Sequence, residues 1–290
     1  MLSYYIRQKR KLKSLALSSY LHGVNLACKR QHSSGDGHLI VSLTTYLPRI
    51  RDVYLTIESI LLQRARNFEI HLYISEKDMA TLGQLPATLQ RQIARGVKVI
   101  TTTEDYRSYD KLVHVLKAAP NATIVTADDD VIYPRDWLER LLEGARKHPD
   151  CIICHRGHLL RESNPGSGRI CYQSSRSGIQ PPVDRPLLSL MPTGNGGVLY
   201  PPNSLDPMAA DHTAFQTLAP NADDIWFKMA SLKQGTRCFR VNPHNINFLS
   251  TRAAHCQPLH KKNVKGDGNN QQFSNCLASY PDLMAKLLAP

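Results

Sequence analysis

Long apolar runs are missing from this chain, and so is any regular cysteine framework. No segment approaches the roughly twenty consecutive apolar residues that a bilayer-spanning helix needs. The segment 14–28 (SLALSSYLHGVNLAC) has a basic flank, but His22, Gly23 and Asn25 interrupt it and no cleavage signal follows. These absences place the chain in the cytoplasm. Cys28, Cys151, Cys154, Cys171, Cys238, Cys256 and Cys276 are odd in number and irregular in spacing, which favours reduced, mostly buried thiols. Cys151-Ile-Ile-Cys154-His155 matches a haem-attachment pattern only literally, because the segment reads as a buried strand. A zinc site fails because no second cysteine pair answers the first. Aromatic residues are few, at 7%, and sit mostly in apolar runs. That excludes the charge-interleaved stacking surface of a nucleic-acid binder, although the pI of about 9.4 invites the idea.

What is present is an ordinary globular composition, 42% hydrophobic and 21% charged over 290 residues. The net charge of +12 is uneven. Residues 1–37 hold Arg7, Lys9, Arg10, Lys11, Lys13, Lys29 and Arg30 against the single acid Asp36, which is half of the total charge. This stretch reads as a basic N-terminal arm preceding a domain over 38–290. Such an arm suits peripheral contact with an anionic membrane, at its inner face for a cytoplasmic chain; a solvated, frayed terminus fits equally well.

From residue 38 strands and helices alternate. HLIVSL (38–43) reads as a strand ending in the turn Thr44-Thr45-Tyr46-Leu47-Pro48, and Arg49–Gln63 as a helix with Val53, Ile57, Ile60 and Leu61 at helical spacing. EIHLYIS (69–75) is a second strand, 85–95 a helix stopped by Gly96, 97–101 a third strand and 109–119 a third helix. ATIVTA (122–127) is a fourth strand running into Asp128-Asp129-Asp130. Four strands with helical crossovers predict an α/β fold, a Rossmann-type, mostly parallel sheet flanked by helices. Such sheets bind ligands at strand carboxyl ends, where both the Thr44–Arg49 turn and the acidic triplet lie. Further on, Pro134 suits a first helical turn, 161–186 reads as a long loop, 191–202 as a Gly-rich turn into a strand, 221–232 as a helix capped by Asn221, and 277–288 as a short closing helix.

The triplet carries the strongest chemical signal. In an extended segment residues i and i+2 face one way, so Asp128 and Asp130 converge and Asp129 points elsewhere. Two carboxylates at one point repel unless a cation or proton intervenes. A hard divalent ion, Mn2+ or Mg2+, held by them would neutralise a diphosphate leaving group. An exposed acidic turn is the plain alternative.

IVTADDDVIYPRDWLERLL resembles the DXD region of GT-A-fold, nucleotide-sugar-dependent glycosyltransferases, especially bacterial enzymes of capsule and lipopolysaccharide synthesis. VSLTTYLPRI, GNGGVLYPP and ADDIWFKM agree in order and spacing over roughly 38–275. The resemblance implies a hexosyl transfer from a nucleotide-diphosphate donor, a UDP-sugar, to a growing glycan or lipid-linked acceptor, with inversion. By the same resemblance Thr44, Thr45, Tyr46 and Arg49 border the nucleotide, Asp128 and Asp130 hold the metal within a donor site that includes Asp129, and Asp224 or Asp223 is the catalytic base. Gly194-Asn195-Gly196-Gly197 would lie beside the sugar or acceptor, or be a plain tight turn. Lys111 would meet the donor diphosphate, or be solvated. Asp223 and Asp224 equally suit the positive end of a helix. A third metal ligand would be a late histidine among His244, His255 and His260, with His255 chosen. A nucleotidyltransferase on a similar sheet is the nearest rival, but such enzymes carry a Gly-rich basic loop after the first strand, where this chain has Thr44-Thr45-Tyr46-Leu47-Pro48. A two-carboxylate glycosidase is a further rival.

Overall fold

The structure is a computed structural model, and it describes residues 2–162, 166–167, 170–176, 183–252 and 267–288. The chain divides into two compact units. Its elements run α1 (Leu2–Ala27), β1 (Leu39–Thr44), α2 (Val53–Leu61), β2 (Glu69–Ser75), α3 (Glu76–Leu82), α4 (Ala87–Ile93), β3 (Lys98–Thr102), α5 (Asp110–Ala118), β4 (Thr123–Thr126) and β5 (Val131–Ile132). They continue with α6 (Trp137–Lys147), β6 (Ile152–Cys154), β7 (Gly157–Leu159), α7 (Tyr172–Arg176), β8 (Leu190–Pro192), β9 (Val198–Tyr200), α8 (His212–Leu218) and α9 (Asp223–Gln234). The last are β10 (Cys238–Arg240), β11 (Leu249–Ser250), α10 (Gly268–Ser279) and α11 (Asp282–Leu288).

The first unit comprises Met1–Lys111, Ala127–Glu139 and Asn247–Gln257. Strands β1, β2 and β3 pair in parallel, with Val41 opposite Ile70 and Leu72 opposite Val99. Four consecutive residues of β1 and six of β2 are buried, the near-continuous burial of strands covered on both faces. Helix α2 is buried along most of its length and carries Glu58 inward at 0% exposure. A carboxylate there must be paired. Arg95 Nη1 meets both Glu58 oxygens at 2.8 and 2.9 Å, and Asn25 and Gln92 donate to Glu58 Oε1 at 2.8 and 2.9 Å.

Asn25 belongs to α1, so the basic N-terminal stretch is not a frayed end. It is a 26-residue helix over the described residues. Arg10, Ser14, Leu17, Leu21 and Asn25 lie three or four residues apart and therefore on one face. Leu17 and Leu21 pack with Leu55, Ile132 and Leu249. Ser14 Oγ donates to the Ser250 carbonyl at 2.6 Å, and Arg10 Nη2 to the Phe248 carbonyl at 2.8 Å. The sequence reading missed this helix because its charge draws attention from the apolar spacing.

The second unit comprises Leu112–Thr126, Arg140–Ile246 and Pro258–Pro290. Its strands lie in the order β10-β6-β9-β4. β10 and β6 are parallel, while β9 runs antiparallel to both β6 and β4. The class is α/β with a mostly parallel sheet, as expected, and β9 is the strand that departs from it. The Gly-rich turn at 194–197 joins β8 to β9 with no α-helix between them, and β8 itself pairs with β7 in a separate two-stranded sheet. Helix α9 is the core of this unit, with Trp226, Met229, Ala230 and Leu232 at 0% exposure. It ends where Gly235 takes φ 85°, a conformation that favours glycine. Three local expectations are corrected. The N-cap position of α9 is Ala222, without a side-chain cap, and Asn221 lies one residue earlier. Helix α6 begins at Trp137, and Pro134 precedes it. The closing helix near 277–288 is two helices, α10 and α11.

Candidate functional site

The acidic triplet lies in the first unit, in a turn between β4 and β5. Because it is a turn, the alternation expected of an extended segment does not hold. The Ala127 N–H donates to the Ser42 carbonyl of β1 at 2.9 Å, which fixes the start of the turn beside that strand. The backbone of the triplet is held on three sides. The Asp128 N–H donates to the Tyr133 hydroxyl at 2.9 Å, Thr56 Oγ1 donates to the Asp129 carbonyl at 2.9 Å, and the Thr251 N–H donates to the Asp130 carbonyl at 2.8 Å.

Asp129 does not point away from its neighbours. It is buried at 6% exposure and accepts from Thr45 Oγ1 and Arg49 Nη1, each at 2.7 Å. The same Arg49 nitrogen lies 3.0 Å from Asp130 Oδ2. Burial works against the Arg49 charge, but the carboxylates of Asp129 and Asp130 outweigh it and hold the guanidinium more firmly protonated than usual. Lys111 is buried, not solvated, and its Nζ meets Asp128 Oδ1 at 2.8 Å. Asp130 is pushed up to about 7, first by burial and then by the charge of Asp128, with Arg49 opposing.

Thr44 and Tyr46 frame this arrangement. Thr44 Oγ1 donates to the Tyr73 carbonyl of β2 at 3.1 Å, and the Arg49 guanidinium lies 5.5 Å from the centre of the Tyr46 ring. The Arg49 N–H closes the turn onto the Tyr46 carbonyl at 2.8 Å. Six of the expected donor-site residues therefore make direct side-chain contacts with one another, in two groups: Thr45, Arg49, Asp129 and Asp130, and Lys111 with Asp128. The sequence reading missed Thr56, Tyr133 and Thr251. Tyr133, five residues beyond Asp128, is the one that a search for a polar tip among apolar neighbours would have found.

Oxygen chemistry at the turn fits a hard divalent cation. Asp128 and Asp130 each spend one oxygen on a basic side chain and keep a second. Among the described residues no cluster of three His, Cys, Asp or Glu side chains surrounds such an ion. His255 lies outside the described residues, and His244 is exposed.

The other expected residues lie in the second unit. Asp223 is buried and Asp224 partly so, both in the first turn of α9. Asp224 Oδ1 accepts from the Gly194 N–H at 2.9 Å, which ties the acid to the Gly-rich turn. Gly197 has φ 85°, and a Cβ at Gly196 would fall 2.9 Å from the Arg156 side chain.

The sequence profile of glycosyl transferase family 2 matches residues 48–205, more than half of the chain. The chain belongs to glycosyl transferase family 2. The matched stretch contains Arg49, Lys111, the acidic triplet and the Gly-rich turn. This family 2 enzyme is thus a GT-A-type glycosyltransferase, as the four motifs implied. No curated protein matches it. Among solved structures it is similar to a mannosyltransferase, PcManGT from Pyrobaculum calidifontis in complex with GDP-Man and Mn2+. That match has 14% identity, a TM-score of 0.49, and covers 93% of this chain and 76% of that one. It is also similar to S. aureus TarS 1–349, with 14% identity, a TM-score of 0.43, and coverage of 83% and 72%. A CMP-2-keto-3-deoxy-manno-octonic acid synthetase complexed with CTP matches at 13% identity and a TM-score of 0.41, over 80% and 99% of the two chains. All three scores fall below 0.5, so these likenesses decide nothing about the donor.

Proposed function

We propose that this family 2 glycosyltransferase is metal-dependent, takes its sugar from a UDP-sugar and passes it with inversion to a growing glycan or lipid-linked acceptor at the cytoplasmic face of a membrane. The observation that supports this reading is the acid turn. Asp128 and Asp130 are close enough for one to raise the other, and Arg49 and Lys111 bracket them. Asp128 and Asp130 would hold Mn2+ or Mg2+, which when bound supplies positive charge to the departing diphosphate.

Thr45 and Arg49 would orient the turn through Asp129, and Lys111, paired with Asp128, would turn towards a donor phosphate. Asp224 is the favoured base, with Asp223 beside it. It takes the proton of the acceptor hydroxyl as that oxygen bonds to the anomeric carbon; the bond from that carbon to the diphosphate breaks and the nucleoside diphosphate leaves. The Gly194 N–H restrains Asp224 in one rotamer, which suits a group whose position matters. Gly196 and Gly197 would let backbone approach the sugar or acceptor.

The test is a panel of nucleotide sugars in a thermal-shift assay, with and without Mn2+, on wild type and on Asp128→Ala/Asp130→Ala. A manganese-dependent rise with one or two donors, absent from the double variant, is expected. A folded protein that responds to no donor, or one that releases pyrophosphate, overturns the reading.

A further inference from the structure

The face of α1 opposite the one clamped to the first unit is apolar. Tyr5, Leu12, Leu15 and Leu26 are separated by seven, three and eleven residues, spacings that return to one side of a helix. All four are exposed, Leu12 most of all at 66%. Tyr20 and Ile6 are exposed as well, so six of the eight large hydrophobic residues exposed among the described residues lie on this single helix. Scattered exposed hydrophobics need no explanation, whereas a concentration on one face does.

Charge accompanies the stripe. Lys9 and Lys13, four residues apart, run along one edge beside Tyr20, and Lys11 projects on the other side. Lys9 Nζ lies 4.5 Å from the centre of the Tyr5 ring, which holds an ammonium at the border of the apolar surface. No acid occurs before Asp36. Between Leu12 and Leu26 the same side carries Ala16, Ser19 and Gly23, small residues that leave the larger side chains standing clear.

An apolar stripe edged by lysines, on a helix without acids, is complementary to one kind of partner. A nucleic acid would use the lysines and leave Leu12, Leu15 and Leu26 in water. A bilayer interface uses both, with the apolar side chains at the acyl boundary and the ammonium groups at the lipid phosphates. No helix among the described residues is long and apolar enough to cross a membrane, so α1 would lie in the interface plane. We infer that the outer face of α1 is a membrane-docking surface for anionic phospholipid, seated through Tyr5, Leu12, Leu15 and Leu26 and steered by Lys9, Lys11 and Lys13. This deepens the membrane-face part of the proposed function and is independent of which donor the enzyme uses.

Vesicle co-sedimentation of the full chain tests it, using phosphatidylcholine alone and phosphatidylcholine mixed with phosphatidylglycerol. Wild type is expected to partition onto the mixed vesicles and only weakly onto neutral ones. Leu12→Asp/Leu15→Asp and Lys9→Glu/Lys11→Glu/Lys13→Glu should each lose about tenfold or more in partitioning. Both sets are exposed, so circular dichroism and the donor-induced thermal shift should match wild type; the latter separates failure of docking from failure of the donor reading. A Leu12→Trp variant should shift its emission to the blue on the mixed vesicles. Undiminished partitioning of the Leu12→Asp/Leu15→Asp protein overturns the inference, as does binding to duplex DNA with none to vesicles.

Discussion

Replacing Asp130 by Asn should make the protein more stable at alkaline pH while removing its response to metal. The side chain is 17% exposed, and its carboxyl is raised from an ordinary 3.8 to about 7, by burial first and by Asp128 second. Between those two values the folded state holds a proton that the unfolded state has released, so stability falls as pH rises through this window. Integrating the linkage from pH 5 to pH 8 gives a loss of roughly 2.5 kcal/mol at this one group. Asparagine carries no such charge, keeps a similar shape, and leaves the Arg49–Asp129 contact in place. The difference between variant and wild type should therefore grow in the variant's favour by up to roughly 2.5 kcal/mol between pH 5 and pH 8, or about 4 °C in midpoint for a chain of this length. Thermal unfolding of both proteins at the two pH values reads this directly, since other titrating groups cancel in the difference. Added Mn2+ together with a donor nucleotide at pH 8 should raise wild type and leave Asp130→Asn unmoved. A variant less stable than wild type at pH 8, or a difference unchanged by pH, would refute both the strained carboxylate and its cause.

Glu58→Ala should cost about 3–5 kcal/mol in chemical unfolding, because it leaves Arg95 buried and uncompensated; Glu58→Gln should cost less, since the amide keeps an acceptor for Asn25. Asp224→Asn should lower kcat by about a hundredfold or more with little change in donor KM, measured by nucleoside-diphosphate release at saturating acceptor. Gly196→Ala should cost about 1–3 kcal/mol in the same unfolding assay, as the new methyl meets the Arg156 side chain at 2.9 Å.

Much of this was legible in the sequence, and for definable reasons. The runs LIVSL and EIHLYIS are apolar enough, and bounded sharply enough, to be strands in any reading, and they pair in parallel with Ile40 opposite Glu69. The acid triplet was visible because three charges directly after an apolar strand need a purpose. What periodicity could not supply was the direction of each carboxylate. The extended-chain rule assigned Asp129 outward, whereas a turn carries it inward onto Thr45 and Arg49. Charge density also misled. Five basic residues between Arg7 and Lys13 suggested a loose arm and hid the Arg10, Ser14, Leu17, Leu21, Asn25 face that seats α1. Lys111 looked solvated for a similar reason, because a lysine early in a helix carries no mark of burial in its own residue type. The direction of β9 was not legible, because a three-residue apolar strand after a Gly-rich turn carries no mark of which way it runs, and such turns are compatible with several courses.

The sharing of Arg49 has a consequence for the order in which ligands arrive. Three carboxylates face one guanidinium and one ammonium in this turn, so above the Asp130 value of about 7, with all three ionised, the group carries one negative charge in excess. A divalent ion alone would carry it past neutrality to a net positive charge and would have to compete with a guanidinium already in place. A diphosphate alone would arrive at a surface that is still negative. The two together, with a negative charge on each phosphate, return the turn to the charge it started with. Each ligand thus improves the other's affinity by the same factor, as reciprocal linkage requires. Metal measured without donor should bind weakly, and donor measured without metal should bind weakly too, at a site that holds the pair well.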